Sequence, residues 1–287
     1  MNSTVSEAEI KALIDLLDDN DQGVQAAVLN RLVEIGTQIV PSLEKAWETT
    51  INLSLQTKIE TIIQDLQFEE VKNDLQNWVN NGCKDLLFGA FIVSKYQFPS
   101  LKYEFILLYI EKIKNDIEAV MNFSLTPLEK IRLINHIFFN IHKYSGNYSN
   151  YYAPNNYYIN HVIETRKGSP ITLAIIYIVV SQKLEIPIYG VNLPKNFIVA
   201  YKDLQVNDIS NSVIFYANPY NKGAILGKRE IDYFLKQQKI DSDEKYFIPC
   251  SNVQIIERTL RYLISSYEST NQNDKIERLK KLIKILE

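Results

Sequence analysis

The sequence predicts an α+β protein, mainly helical, with one buried helix packed on an antiparallel sheet. Three observations predict it. Apolar residues recur at helical spacing from residue 7 to residue 146 and again over the last 36 residues. Between residues 186 and 219 the pattern shifts toward period two, the spacing of strands. Separating the two patterns, "GSPITLAIIYIVVSQKLEIP" reads as a helix apolar on every side, opened by a glycine turn and ended at Leu-Glu-Ile-Pro.

The chain of 287 residues is long enough to bury a large core and to hold sub-domains. With 46% hydrophobic and 23% charged residues it reads as globular rather than disordered. Glycine is scarce, at 9, and no low-complexity run or Gly/Ser linker separates the parts. The expected organisation is a helical segment over 1–76, a core with its preceding helices over 77–250, and a helical hairpin over 251–287. The net charge of −3 argues against general nucleic-acid binding. It is unevenly placed: residues 1–80 hold 5 Lys/Arg against 14 Asp/Glu, net −9, and the remainder holds 26 against 20, net +6. The start "MNSTVSEAEI" has no basic or apolar region of a signal peptide. The longest apolar run, Leu173 to Val180, is too short to span a bilayer. With only Cys83 and Cys250, far apart and in no pair motif, the expected location is cytoplasmic.

In "EAEIKALIDLLDDND", Ile10, Leu13, Ile14 and Leu17 form one apolar face, and Val24, Ala27, Val28, Leu32 and Ile35 form the next, closed by Gly36 as a C-cap. Pro41 opens a further helix. This rhythm resembles a HEAT-like repeat, which implies a surface for other proteins or a cap on a neighbouring core. Residues Leu75 to Ile117 continue helical with a break at Pro99. The helix at 126–146 has Thr126 as N-cap, Pro127 at its first position, Glu129 completing a capping box and Gly146 near its end. "NYSNYYAPNNYYINHVIETRKGSP" reads as a tyrosine- and asparagine-rich loop. After the buried helix, "IPIYGVNL", "FIVAYKD" and "SVIFYANP" read as three strands, and two final helices around "STNQND" resemble a TPR-like hairpin.

The buried helix with its flanking pieces resembles the transglutaminase-like (papain-like) superfamily. In that pattern a cysteine opens the helix, a histidine begins a following strand and an aspartate ends another. Carried onto this sequence by spacing back from "EIP", the cysteine position falls at Pro170 in "GSP", the histidine position at Asn196 in "PKNF", and the aspartate position at Asn218 in "ANP". Residues 77 to about 286 resemble the SirB-type branch more closely, through "DLLFGAFIVSKYQFP", "YYAPNNYYINHVIETRKGSPITLAIIY", "GVNLPKNFIVAY" and "NPYNKGAIL", in order. Members of that branch commonly open the helix with Gly-x-Pro, followed by Pro-Gly-His-Phe and Asp-Pro-Phe-like segments. This chain departs from the last two at Lys195-Asn196 and at Asn218.

The substitutes are chemically inert. Proline has no nucleophile and suits a helix start. Asparagine neither takes up a proton near neutral pH nor supplies a carboxylate. Thr172 carries a hydroxyl near the same helix end, but a hydroxyl without a base is a poor nucleophile. Cys83 precedes a helix, where a thiol pKa can fall, with no histidine tied to it by motif. His136 and His142 stand six apart, off the spacing of a metal pair, His161 has no special spacing, and "GAILGKRE" lacks phosphate-loop spacing; no cofactor or metal is expected.

Three functions remain open. The leading one is a non-catalytic binding or scaffold module for protein or peptide, with Asn156, Arg166 and Thr172 lining a cleft beside Asn196 and Asn218. Arg166 either grips a carboxylate or ties down the tyrosine loop. The second is a hydrolase or acyl-transfer enzyme with a rewired nucleophile and base in the same cleft. The third is an assembly component whose cleft is filled by aromatic side chains. Neither nucleic acid nor membrane is an expected partner, and the sequence assigns no oligomeric state.

Overall fold

The computed structural model describes residues 6–287 apart from residues 20, 123, 209 and 210. Residues 1–5, which carry part of the signal-peptide expectation, lie outside the described residues. The chain divides into two compact units, Met1–Asp74 and Leu75–Glu287. The division falls inside a helix, and residues 251–287 lie in the same unit as residues 77–250.

The first unit is helical. α1 (Glu7–Asp15) is capped by Ser6, whose hydroxyl accepts the Glu9 N–H at 3.2 Å. α2 (Gln22–Ile35) is capped by Asp21, and Gly36 ends it. α3 (Val40–Thr49) carries Pro41 in its first turn, and α4 (Leu53–Asn80) follows. Leu13, Leu17, Val28, Leu32, Leu43 and Ile59 form the core, with Ile10, Ile14, Val24 and Ile35 packed around them. Ala27, expected on the apolar face, is exposed instead.

The second unit surrounds one helix. α5 (Leu86–Lys95) and α6 (Tyr103–Glu118) lie either side of Pro99. α7 (Pro127–Asn135) has the expected capping box, but the helix widens into a π-turn at His136–Ile141 and stops there. Gly146 is therefore not near a helix end. It belongs to β1 (Ser145–Gly146), which pairs in parallel with β2 (Lys167–Gly168). The expected loop between them contains α8 (Ile159–Thr165), whose first N–H is accepted by the buried Ser94 hydroxyl at 2.9 Å.

α9 (Pro170–Lys183) is buried from Pro170 to Ser181, which explains its apolar residues on all faces. It packs on α5, α6, α8 and the sheet. The sheet is an antiparallel meander of β3 (Ile188–Val191), β4 (Ile198–Lys202), β5 (Val213–Asn218) and β6 (Ala224–Leu226), in that order. The register pairs Gly190 with Val199, Val199 with Ala217 and Asn218 with Ala224. β6 and the amphipathic α10 (Lys228–Gln237) add to the three expected strands. α11 (Asn252–Glu268) and α12 (Asn273–Leu286) form the terminal hairpin, and α11 packs on α5 and α9. The fold is thus helix-rich α+β, as expected. Among the described residues no helix is long and apolar enough to cross a membrane.

Candidate functional site

The three positions singled out by sequence lie on neighbouring elements, because α9 packs against β4 and against the short turn Pro219–Asn221. Pro170 takes the first position of α9 and is buried. Ser169 before it is the cap: its hydroxyl accepts the Thr172 N–H at 3.3 Å and lies 3.0 Å from the Thr172 hydroxyl. Asn196 sits in the β3–β4 turn, where its side-chain oxygen accepts the Phe197 N–H at 2.8 Å. Asn218 ends β5 and caps the following turn, accepting the Tyr220 and Asn221 N–H groups at 3.0 and 3.4 Å. Each position carries a side chain with a local structural role and no ionisable group.

The expected cleft-lining residues are placed differently. Thr172 is only 1% exposed and its hydroxyl faces Ser169. Asn156, also 1% exposed, organises the tyrosine-rich segment. Its amide donates to the Asn150 and Tyr151 carbonyls at 2.6 and 3.0 Å, and its side-chain oxygen accepts from Asn147 at 2.8 Å. Its backbone carbonyl accepts the Ser169 N–H at 3.1 Å, so the segment is bonded directly to the head of α9. Both residues are thus interior hydrogen-bonding groups, the usual state of buried polar side chains. Arg166 adopts a left-handed conformation, φ +61°, at the end of α8. Its guanidinium donates to the Tyr144 hydroxyl and lies over the Tyr109 and Tyr144 rings at 5.2 and 4.9 Å.

Sequence reasoning missed the residues that gather here. The tyrosine-rich segment packs between α11 and the Pro219–Asn221 turn. Tyr157 stacks on Tyr262 of α11 with ring centres 5.6 Å apart, and the Tyr158 and Tyr267 hydroxyls are hydrogen-bonded at 2.7 Å. Tyr148 and Tyr151 lie 4.8 and 6.0 Å from the Tyr220 ring, and the Tyr148 hydroxyl donates to the Tyr220 carbonyl at 2.7 Å. The Tyr220 ring in turn covers Gly146, where a Cβ would come within 2.5 Å of it. On α11, the Arg258 guanidinium lies over Phe197 and Tyr262 and donates to the Leu193 and Asn196 carbonyls, both at 2.8 Å. The signal in the sequence was the one-turn spacing of Arg258 and Tyr262, which puts both on one face of α11.

The electrostatics favour neutral phenols. Burial pushes the Tyr220 phenol up to about 12, with Tyr148 and Tyr151 adding to the shift. Burial also raises the Tyr151 phenol, reinforced by Tyr262 and Tyr152 and opposed by Arg258. Among the described residues the Tyr220 hydroxyl is buried without a hydrogen-bond partner.

Neither thiol is activated. Cys83 is buried in a left-handed conformation, φ +55°, and desolvation raises its pKa rather than lowering it. The start of α5 is capped by Asp85 instead, which accepts the Phe88 N–H at 3.0 Å. The Cys250 thiol donates to the Gly190 carbonyl at 3.2 Å, and burial pushes it up to about 12. A thiol held protonated is a poor nucleophile. His142 bonds to Asp116 at 2.8 Å, and its burial outweighs that carboxylate and lowers its pKa. His136 lies 3.2 Å from Asn140. Among the described residues no group of three or more His, Cys, Asp or Glu is arranged to hold a metal ion.

Comparison with known proteins bears on this frame. Residues 105–261 match the transglutaminase-like superfamily model. A UPF0162 protein of Xylella fastidiosa (strain 9a5c) is 32% identical over 210 residues, spanning 70% of this chain and 71% of that protein. F-box only protein 21 of Mus musculus is 25% identical over 178 residues, which are 61% of this chain and 26% of that protein. A UPF0162 protein of Vibrio cholerae is 22% identical over 155 residues, 54% of this chain and 55% of that protein. No solved structure matches the chain.

Proposed function

This chain belongs to the transglutaminase-like superfamily, and we propose that it binds where its relatives of that fold react. On this reading it is a SirB-type pseudoenzyme, a cytoplasmic module that binds protein or peptide and serves a regulatory or scaffold role. The HEAT-like first unit and the TPR-like hairpin suit such a module. Nucleic acid, membrane and cofactors have no part in it. The match to 26% of F-box only protein 21 fits use of this segment as a module within a longer chain.

One observation carries the reading. On the resemblance, Pro170, Asn196 and Asn218 stand at the nucleophile, base and orienting positions; Pro170 opens α9 behind the Ser169 cap, and the Asn196 and Asn218 side chains accept backbone N–H groups in turns. A cysteine-type mechanism needs a thiolate at the helix start and a proton acceptor within hydrogen-bond reach. The rewired-enzyme alternative would have to use the Ser169 and Thr172 hydroxyls, whose partner in the structure is each other, at 3.0 Å.

The test is a turnover assay on the full chain with fluorogenic amide and ester substrates and with ammonia release from glutaminyl peptides. The expected result is no rate above the heat-denatured control. Turnover that is abolished by Thr172→Val, or by replacing either cysteine with serine, would establish the rewired enzyme instead.

A further inference from the structure

Arg166 has two expected roles, a grip on a carboxylate or a tie to the tyrosine loop, and its side chain bonds ahead of that loop. Its N–H donates to the Val162 carbonyl and its own carbonyl accepts the Ser145 N–H, both at 2.9 Å, so the backbone is fixed on both sides. The guanidinium uses only Nη1 in the fold, as a donor to the Tyr144 hydroxyl. Its Nε and Nη2 have no protein partner among the described residues, and neither is sealed from solvent. Arg31, by contrast, forms ion pairs with Glu9 and Glu34 at 2.7 and 2.9 Å, whereas no described carboxylate lies within ion-pair distance of Arg166. The Nε–Nη2 side is an edge that takes both oxygens of a carboxylate. The Tyr109 and Tyr144 rings, 5.2 and 4.9 Å away, hold the guanidinium in orientation. A cation fixed before its ligand arrives loses less freedom on binding.

Two contacts fix where this edge lies along α6. Arg166 stands over Tyr109, and His142 Nε2 bonds to the Asp116 carboxylate at 2.8 Å. Lys112 lies between those points on the same helix face, one turn from each. It is exposed and forms no ion pair among the described residues. Lys143 and Lys167, beside Tyr144 and Arg166 in the chain, are likewise exposed and unpaired among those residues. Acids are fewer here: Asp116 is taken by His142, and Glu164 on α8 is exposed and pairs with none of these cations. Apolar side chains border the cations. Leu108, one turn before Lys112, is 69% exposed, and Ile141, next to His142, is 55% exposed.

We propose that the Nε–Nη2 edge of Arg166 grips a glutamate or aspartate carboxylate of an acidic peptide, with Lys112 adding charge and Leu108 and Ile141 receiving the peptide's apolar side chains. The inference rests on the binding reading above and names the surface and the chemistry of its partner. A planar carboxylate matches two parallel donors, and the resulting charge-assisted hydrogen bonds are stronger than neutral ones. The exposed apolar border suits a peptide rather than a free anion. The partner also supplies the counter-charge that the fold leaves out.

The test is a fluorescence-anisotropy titration of the full chain against a rhodamine-labelled, end-blocked Glu-Leu-Glu-Glu-Leu-Glu peptide and its counterpart with glutamine at every glutamate. The expected result is saturable binding of the acidic peptide and about tenfold weaker binding of the glutamine form, the value of one charge-assisted bond. Arg166→Lys keeps the charge but loses the fork, and is expected to weaken the acidic peptide about tenfold. That variant also loses the Tyr144 bond, so Lys112→Gln serves as the second. Lys112 holds no ion pair in the fold, and its loss is expected to weaken binding about two- to fivefold at unchanged melting temperature. Absence of saturable binding, equal affinity for the glutamine peptide, or full affinity in either folded variant would each overturn the proposal. Tighter binding of the same peptide with phosphoserine in place of glutamate would overturn it in favour of a phosphate site. Failure of the non-catalytic reading shows separately, as turnover, and leaves this titration unaffected.

Discussion

The two ends of α9 differ in a way that locates the site. At the C-terminal end, Val179, Gln182 and Lys183 face Asp85, Leu86, Leu87, Tyr103 and Leu107 across an open groove of about 500 Å³. Lys84 adds a cation to its wall, and the other polar side chains there are engaged. Lys183 pairs with Glu111 at 2.6 Å, Gln182 donates to the Ile188 carbonyl at 2.9 Å, and Asp85 accepts from the Tyr103 hydroxyl at 3.0 Å. At the N-terminal end the segment bonded to Ser169 is crowded with tyrosines, and there the Tyr220 hydroxyl is buried without a partner among the described residues. The open space lies at one end and the buried, unpartnered hydroxyl at the other, and recognition needs fixed polar groups as well as room.

The largest effect expected on this comparison is at Gly223, which follows the turn capped by Asn218. Its φ of +70° is unfavourable for any side chain, and a Cβ there would collide with the Asn135 amide. That amide donates to the Gly223 carbonyl and accepts from the buried Tyr177 hydroxyl, both at 2.9 Å. Gly223→Ala is expected to cost about 3–5 kcal/mol in urea unfolding, from backbone strain and the broken buried network together. A cost near zero would mean that the Tyr220 turn is not held as described.

At the other end, Leu87 is 2% exposed and forms part of the groove wall. Leu87→Ala is expected to cost about 2–4 kcal/mol in urea unfolding, without disturbing the buried Asn135–Gly223–Tyr177 network at the opposite end. A cost near zero would show that the groove wall is not packed as described.

Much of this architecture was legible in the sequence, and the exceptions have identifiable causes. α9 was legible because its ends are marked by Ser169-Pro170 and by Ile186-Pro187, and the α7 cap because Thr126, Pro127 and Glu129 form a local motif. α8 was not, because seven residues among tyrosines and asparagines show too little periodicity, and its start is satisfied by Ser94 from a distant helix. β1 and β2 have two residues each, too few to alternate. Asn156 and Thr172 were misplaced because polar residues ordinarily face water, whereas here interior hydrogen bonds hold them. The three frame positions were read from the ordered motifs of the resemblance. Arg258 was not, because the Leu193 and Asn196 carbonyls and the Phe197 ring it holds lie far earlier in the chain, with no local motif to announce them.

The smallest stability effect is expected at Tyr220, whose hydroxyl is buried without a partner among the described residues. Removing such a group deletes a desolvation cost and breaks no bond, so Tyr220→Phe should alter stability by no more than about 0.5–1 kcal/mol, in the stabilising direction. A clear destabilisation in thermal or urea unfolding would reveal a bound water or other partner for that hydroxyl, and the N-terminal end would then be more fully satisfied than the comparison holds.

The central claim is that the head of α9 keeps the frame of a thiol hydrolase without its reactivity. The most direct test is intact-mass analysis of the native chain after exposure to a peptide vinyl sulfone and to a fluorophosphonate, with peptide mapping of any adduct. The account predicts no rapid stoichiometric adduct at Ser169, Thr172, Cys83 or Cys250, and only slow cysteine alkylation that accelerates on unfolding, as expected for thiols whose pKa burial has raised. A single fast adduct on the folded protein at any of these four residues would contradict it.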